Sequence, residues 1–463
     1  MYKIDDAYIE PYNEYISNPG REFKLKCTIK NGSSTSSISQ SNISSLQIDH
    51  DLVSGAEDYV VGNLAAAKLT ITFDNTVNVK EGSIISLEVG LKTILKTGYT
   101  HWVYVPLGSF FVFEINKTAL TQRAEGYDGL YQKKLADAYR SKLEYPTSSR
   151  LILEELCTLL DVEYPSDIPN EPISRPKVVN DLKLNDDGKY EVVETSSNQV
   201  GYGLTIGAML SYMASYYGGS FILEGNNKLK LVKVNMSNVT KAYDLNHYAT
   251  PTVGDASYNI KCIKCTISAG ETLVHGVGEE SQTMEMENPF YDDYRLSELA
   301  TAITNMSYKP VNVRIKGDPA IQLGDVICLN NAPHIGTIKF PILKMKFSFS
   351  GGCKLEVESV CRTESEKAIK YKGTLSSRLD TLETTVSKTN TEIDKLNNSI
   401  RVLNQIQKSL GDMSLFIDKN LAETLSASDL DQYDLLLSEI ERSRAEFNDK
   451  YNLVYDHKYL KRT

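Results

Sequence analysis

The sequence predicts an α+β chain in which two β-rich domains flank an α/β block, with a coiled coil and a further helix at the C-terminal end. Three observations predict it: strand-length apolar runs gathered in residues 1–118 and 241–365, helical apolar stripes within 119–240, and a heptad pattern sustained from Leu375 to Leu410. A chain of 463 residues exceeds one ordinary core, and length alone suggests about two to four domains.

Residues 1–118 carry REFKLKCTIK, AAAKLTITFDN, GSIISLEVGLKTI and HWVYVPLGSFFVFEI, which alternate or are rich in β-branched and aromatic residues. Their spacing predicts a barrel or a sandwich. The polar stretch NGSSTSSISQSNISS (31–45) reads as a long surface loop. In 119–240, Ile152, Leu153, Leu156, Cys157 and Leu160 form a helical stripe after a cap at Ser148 or Ser149. A second helix carries Ile206, Leu210, Met213 and Tyr217 and stops at Gly218 and Gly219. The segment between them, 166–191, reads as loop, and 218–234 reads as a hairpin turning at EGNNK.

In 241–365 the strand signal returns in SYNIKCIKCTIS, KPVNVRIKG, GDVICLN, FPILKMKFSFS and KLEVESVCR. One helix interrupts at about 291–306, with Leu296, Leu299, Ala300 and Ile303 on one face. The coiled coil occupies 366–412. Leu375, Leu382, Leu396, Leu403 and Leu410 share one heptad position, and Leu379, Val386, Ile393 and Ile400 share the other, with Thr389 and Gln407 as polar exceptions. Such a seam needs a continuous apolar partner, so self-association is expected. The alternative is a fold-back onto the less regular helix from Ser428 to Tyr459 within 413–463. β-Branched residues opposite leucine favour two strands, while Ile406 widens the seam, so the strand number stays open.

Charge and composition exclude several function classes. A net charge of −10 disfavours gripping phosphates, so DNA is expected to pass without specific binding. The first residues lack a basic region followed by an apolar one, and no window approaches a membrane span, which predicts a soluble protein made in the cytoplasm without stable membrane insertion. Seven scattered cysteines read as reduced and buried.

The candidate chemistry is sparse. Cys262 and Cys265 form a CxxC, but on a strand residues i and i+3 face opposite sides and cannot share a metal. His275 stands near Glu279, Glu280 and Ser281, where a turn between strands explains the residues as well as catalysis does. Gly201, Gly203 and Gly207 precede a helix without the spacing of a phosphate cradle, and capping by Thr205 is the simpler reading. Asp186, Asp187, Asp292 and Asp293 read as loop or helix-start residues. No enzyme activity, metal or cofactor is expected.

Several segments, in order, resemble the amino-terminal hub module of phage tail-tip proteins, the tail-associated (Tal) family, which is similar to the central hub of contractile-phage baseplates. They are VGNLAAAKLTITFDN (61–75), WVYVPLGSFFVFEI (102–115), GYDGLYQKKLADAYRSKLEYPTSSRLILEELC (126–157), IGAMLSYMASYYGGSFIL (206–223), NPF (288–290) and GDPAIQLGDVICL (317–329). The resemblance spans residues 1–365 and implies two antiparallel β-barrel-like domains with α/β insertions. In 126–157 it implies a tyrosine-aspartate turn, a helix, a Tyr-Pro step and a second helix. It assigns structural roles to Pro106 and Gly108, at the start of a core strand carrying Phe110 and Val112, and to Pro289, Pro319 and Gly324 at turns.

Further, the resemblance implies a homotrimeric ring in the virion tail tip that closes the tail tube and adapts sixfold to threefold symmetry. Its implied partners are the distal tail protein or tube, the tape-measure protein and a tip fibre or spike carried on the coiled coil. Two other functions stand beside it. Many Tal proteins carry a cell-wall hydrolase after the hub, and the tyrosine-rich end (Tyr433, Tyr451, Tyr455, Tyr459) would suit a receptor-binding adhesin.

Overall fold

A computed structural model describes residues 1–362 apart from breaks at 54–57, 166, 175, 177–179, 185–189, 195–197, 202, 226, 269–270, 280–281 and 305, together with seven helical residues between 432 and 443. The chain divides into two compact units, one of residues 1–179 and 195–376, the other of 180–194 and 377–463. The heptad residues Leu375, Leu379, Leu382, Val386, Ile393, Leu396, Ile400, Leu403 and Leu410 lie outside the described residues, as does most of the helix expected from Ser428 to Tyr459.

The first stretch of the larger unit forms helix α1 (Ile9–Ser17) and strands β1 (Phe23–Asn31), β2 (Ser34–Ile38), β3 (Ile43–Asp51), β4 (Ala67–Asp74), β5 (Ile84–Ile94), β6 (Thr100–Lys117) and β7 (Thr121–Tyr127). The alternation is cleanest in β4, where Leu69, Ile71 and Phe73 are fully buried between half-exposed neighbours. The middle stretch gives β8 (Thr147–Ser148), α2 (Ser149–Leu160) and β9 (Pro172–Ile173). Strands β10 (Asn180–Leu184) and β11 (Tyr190–Glu194) form a hairpin that belongs to the smaller unit. Then follow α3 (Ile206–Tyr216) and the hairpin of β12 (Ser220–Glu224) and β13 (Lys228–Val232).

The last stretch contributes β14 (Lys241–Tyr243), β15 (Thr252–Val253), β16 (Tyr258–Asn259), β17 (Cys262–Ser268), β18 (Glu271–Gly276) and β19 (Thr283–Glu287). After α4 (Asp293–Ile303) come β20 (Ser307–Tyr308), β21 (Val311–Lys316), β22 (Val326–Ala332), β23 (Gly336–Pro341), β24 (Lys344–Phe349) and β25 (Cys353–Ser359). Eleven strands form one antiparallel sheet in the order β15-β21-β25-β24-β3-β4-β7-β6-β5-β1-β2. Its seam is the β24–β3 ladder, running from Lys344 opposite Asp51 to Phe349 opposite Leu46. Strands of the first and last β-rich blocks therefore share one sheet and one core, which joins Leu69 and Phe73 to Phe347 and Val357. A second core lies among α2, α3 and β12, and a smaller one packs α1 against β5 and β6.

Local signals explain most elements. Ser148 caps α2 by accepting from Leu151 N, Thr205 caps α3 by accepting from Ala208 N, and Asp292 caps α4 by accepting from Arg295 N. The stop expected at Gly218 is real, with Gly218 in the left-handed region at φ 69°.

Five expectations need correction. Residues 31–45 are not a loop: Gly32, at φ 61°, turns β1 back into β2, and an exposed edge strand held chiefly by its ladder needs no apolar alternation. Helix α1 escapes the strand-like reading of 1–118 because only Tyr12 and Ile16 are buried and Pro11 sits in its first turn, where proline is tolerated. The loop expected at 166–191 contains β9, β10 and the start of β11. The helix implied between the tyrosine-aspartate turn and Tyr145-Pro146 is a single 3-10 turn at Lys133–Ala136. Finally, FPILKMKFSFS is two strands, because buried Ile342 and Leu343 separate β23 from β24.

Candidate functional site

The chemistry concentrated in this fold lies in buried polar joints. Asp128, at the end of β7, is 4% exposed. Its Oδ2 accepts from Ala67 N at 2.9 Å, its Oδ1 accepts from Leu130 N at 3.0 Å, and its own N–H donates to Ala67 O at 3.0 Å. The carboxylate thus closes the β4–β7 ladder. Burial pushes its pKa up to about 7, against the pull of the two N–H donors.

Asn288 is fully buried and clamps the C-terminal end of α3. Its Nδ2 donates to Tyr212 O at 2.8 Å and Ser215 Oγ at 2.7 Å, while its Oδ1 accepts from Phe290 N at 2.9 Å. Phe290 in turn packs edge-on against Tyr212. Asp318 accepts from Tyr12 Oη at 2.7 Å and Ala320 N at 3.0 Å, and forms a close ion pair with Lys241. Asp325 accepts from Gln322 N at 2.8 Å and pairs closely with the Met1 amine.

These residues fall within GYDGL, NPF and GDPAIQLGD, segments that carry the resemblance noted above. Sequence reasoning picked out the prolines and the glycine there, Pro289, Pro319 and Gly324, whereas the bonds are made by Asn288, Asp318 and Asp325 beside them. A polar residue next to a proline or glycine in an otherwise apolar stretch is the signal that would have found them. Pro106 and Gly108 lie inside β6 rather than at its start. There the β5–β6 register shifts at Leu87/Glu88, and Gly108 adopts φ 141° against the Phe110 ring.

The other candidates are placed as follows. Cys262 and Cys265 are buried in β17, the middle strand of the sheet β18-β17-β19, and burial pushes the Cys265 thiol up to about 12. All seven cysteines are buried and none forms a disulfide. His275 lies inside β18, one residue before its end, rather than in a turn, and its Nε2 lies 3.0 Å from Asp293 Oδ1 at the start of α4. Glu280 and Ser281 lie outside the described residues, as do Asp186 and Asp187. Gly201 and Gly203 adopt φ 65° and 75°, and a side chain at Gly201 would collide with the Tyr139 ring, so packing accounts for that glycine. Among the described residues no group of three or more His, Cys, Asp or Glu is arranged to hold a metal, and no helix is long and apolar enough to cross a membrane.

On the outer face of β6 and β7, Phe113 stacks on Tyr127 at 5.2 Å between ring centroids, and Tyr127 stacks on Tyr131 at 4.0 Å. Phe111 and Phe113 are each 45% exposed and Tyr131 is 65% exposed. Among the described residues, β2 is the edge strand at the rim of the sheet. These are surface features suited to contact with other chains.

No family model matches the sequence, and no curated protein matches it. Solved structures do show similarity. The tail protein from Neisseria meningitidis MC58 aligns at 10% identity and a TM-score of 0.46, covering 72% of this chain and 96% of that one. The 43 kDa tail protein of prophage MuSo2 from Shewanella oneidensis aligns at 11% identity and a TM-score of 0.43, covering 73% and 98%. A chain of the phage P2 baseplate in its activated conformation aligns at 9% identity and a TM-score of 0.25, covering 72% and 98%.

Proposed function

We propose that this chain is a structural hub protein of a phage-type tail tip or baseplate, acting without catalysis. One observation carries the reading: three of the ordered segments that resemble the tail-tip hub family contain the buried joints at Asp128, Asn288 and Asp318/Asp325. Segments that hold a body together are those in which a structural family would keep its pattern. The heptads from Leu375 to Leu410 add a means of self-association, and the hub reading makes the assembly a trimeric ring with a coiled-coil stalk for a tip fibre or spike. Such a ring would close the tail tube, adapt its sixfold symmetry to three and surround the channel for tape measure and DNA.

Light-scattering mass measurement on the full chain tests the assembly. Three copies per particle are expected, and the double variant I393D/I400D is expected to release monomers, because two charges in the seam leave its apolar partners unpaired. A wild-type monomer at micromolar concentration would overturn the trimer. Zymography on purified peptidoglycan is expected to show no clearing, and clearing would overturn the non-catalytic reading. Locating the subunit on the axis of an imaged particle tests the tail placement itself.

A further inference from the structure

Between the segment that precedes α1 and the 101–104 stretch of β6 lies an open cleft of about 450 Å³, a size typical of small-molecule sites. Strand β7 pairs with β6 only from Phe111 onward, so among the described residues this stretch of β6 has a strand neighbour, β5, on one side alone. The leading segment is tied down at both ends. The Met1 amine pairs closely with Asp325, Tyr2 N donates to Ala320 O at 2.6 Å, and Tyr8 stacks on His101 with 4.4 Å between ring centroids. Both walls are thus held in place by the fold itself, which lowers the ordering cost of binding.

Five residues of the cleft are rings, Tyr2, Tyr8, His101, Trp102 and Tyr104, and each is half-buried. The two aliphatic residues of the wall, Ile4 and Val103, are only 4% and 6% exposed, so a ligand meets aromatic and polar groups. Lys3 and Asp6 are exposed there, and among the described residues neither they nor the Trp102 indole make a side-chain hydrogen bond or ion pair. Asp5, by contrast, is engaged in a turn, where its Oδ1 accepts from Ala7 N at 2.9 Å. Tyr104 already carries a cation: Lys26 Nζ lies 3.4 Å from its ring centroid and is held by Glu88 at 3.3 Å.

We propose that this cleft is a saccharide site that takes β-linked, gluco-configured pyranose rings. In such rings the hydroxyls are equatorial, so slightly positive axial C–H bonds cover both flat faces and suit the negative faces of aromatic rings. Each sugar hydroxyl both donates and accepts, and the wall offers partners of both kinds: Asp6 accepts, Lys3 and the Trp102 N–H donate, and the tyrosine hydroxyls do either. Other ligand classes fit less well. An organic cation needs ring faces and acceptors but no donors, and the place over Tyr104 is filled by Lys26. A phosphate-rich ligand meets the carboxylates of Asp5 and Asp6. An aliphatic one finds its only aliphatic partners already buried.

Trp102 is the only tryptophan of the chain, so its fluorescence reports on the cleft alone. Titration of the full chain with cellotetraose and with chitotetraose is expected to give a saturable change with at least one of them, at a Kd on the order of 1 mM. Followed by calorimetry, Trp102→Ala is expected to abolish that binding and Asp6→Ala to weaken it about tenfold or more, the loss of a hydrogen bond to a charged acceptor. Phe113→Ala, which removes an exposed ring elsewhere on β6, is expected to leave it unchanged. No saturable response to either saccharide overturns the proposal. Saturation by tetramethylammonium chloride without any by the saccharides overturns it in favour of a cation cage, and saccharide binding undiminished in Trp102→Ala or Asp6→Ala lies elsewhere and overturns it too. Should Trp102→Ala not fold, Asp6→Ala decides, because Asp6 is exposed and belongs to no core. The outcome is independent of any place in a tail.

Discussion

The seam and the rim of the large sheet are built from similar backbone and opposite side chains. At the seam, β24 and β3 bring Phe347 against Ile48 and Phe349 against Leu46, all buried, with apolar packing on the covered face. At the rim, β2 pairs with β1 through Ser34, Thr35, Ser36 and Ser37, all exposed. Both ladders satisfy their backbone groups. The rim buries apolar residues only from β1 and at Ile38, whereas the seam buries them from both strands and joins the first β-rich block to the last.

The largest test of this contrast is Phe347→Ala. Removing a buried ring at the seam is expected to cost about 3–5 kcal/mol, read by denaturant unfolding. The first and last blocks should unfold together, and separate transitions for them would break the comparison. Asn288→Ala comes next. It removes the acceptor of Phe290 N and two buried bonds to Tyr212 O and Ser215 Oγ, which keep their own bond at 3.1 Å, with an expected cost of roughly 1–3 kcal/mol by the same measurement. A loss below that range would mean that the joint is filler rather than a clamp. The smallest effect is expected at the rim. Ser36→Ala removes one long side-chain bond to Ile29 O at 3.4 Å and should stay within about 0.5 kcal/mol of wild type. A larger loss would show that β2 is braced by something beyond its ladder.

The same contrast explains what was legible in the sequence. Alternation is written only where one face is covered, so β1, β4 and β5 could be read and β2 could not. Helices α2, α3 and α4 were legible because capping residues and apolar stripes agree. Helix α1 was not, because two buried residues make no stripe. Strand pairing was hidden as well: two β-rich blocks separated by the α/β stretch look like two domains, and nothing local in Lys344–Phe349 names β3 as its neighbour. The joints were half visible, since turn residues flag themselves by composition, while a buried Asn288 or Asp318 is distinguished only by the distant carbonyls, hydroxyls and amines it meets.

The β24–β3 ladder also sets a timetable. Residues paired there stand about 300 positions apart in the chain. At a synthesis rate of about 5–20 residues per second, β3 leaves the ribosome roughly 15–60 s before its neighbour exists. Through that interval the side of β3 later covered by β24 is an open strand edge beside Leu46 and Ile48, available to any passing strand. Yield during expression should therefore fall with rising rates of initiation, as neighbouring nascent chains crowd together with that edge uncovered.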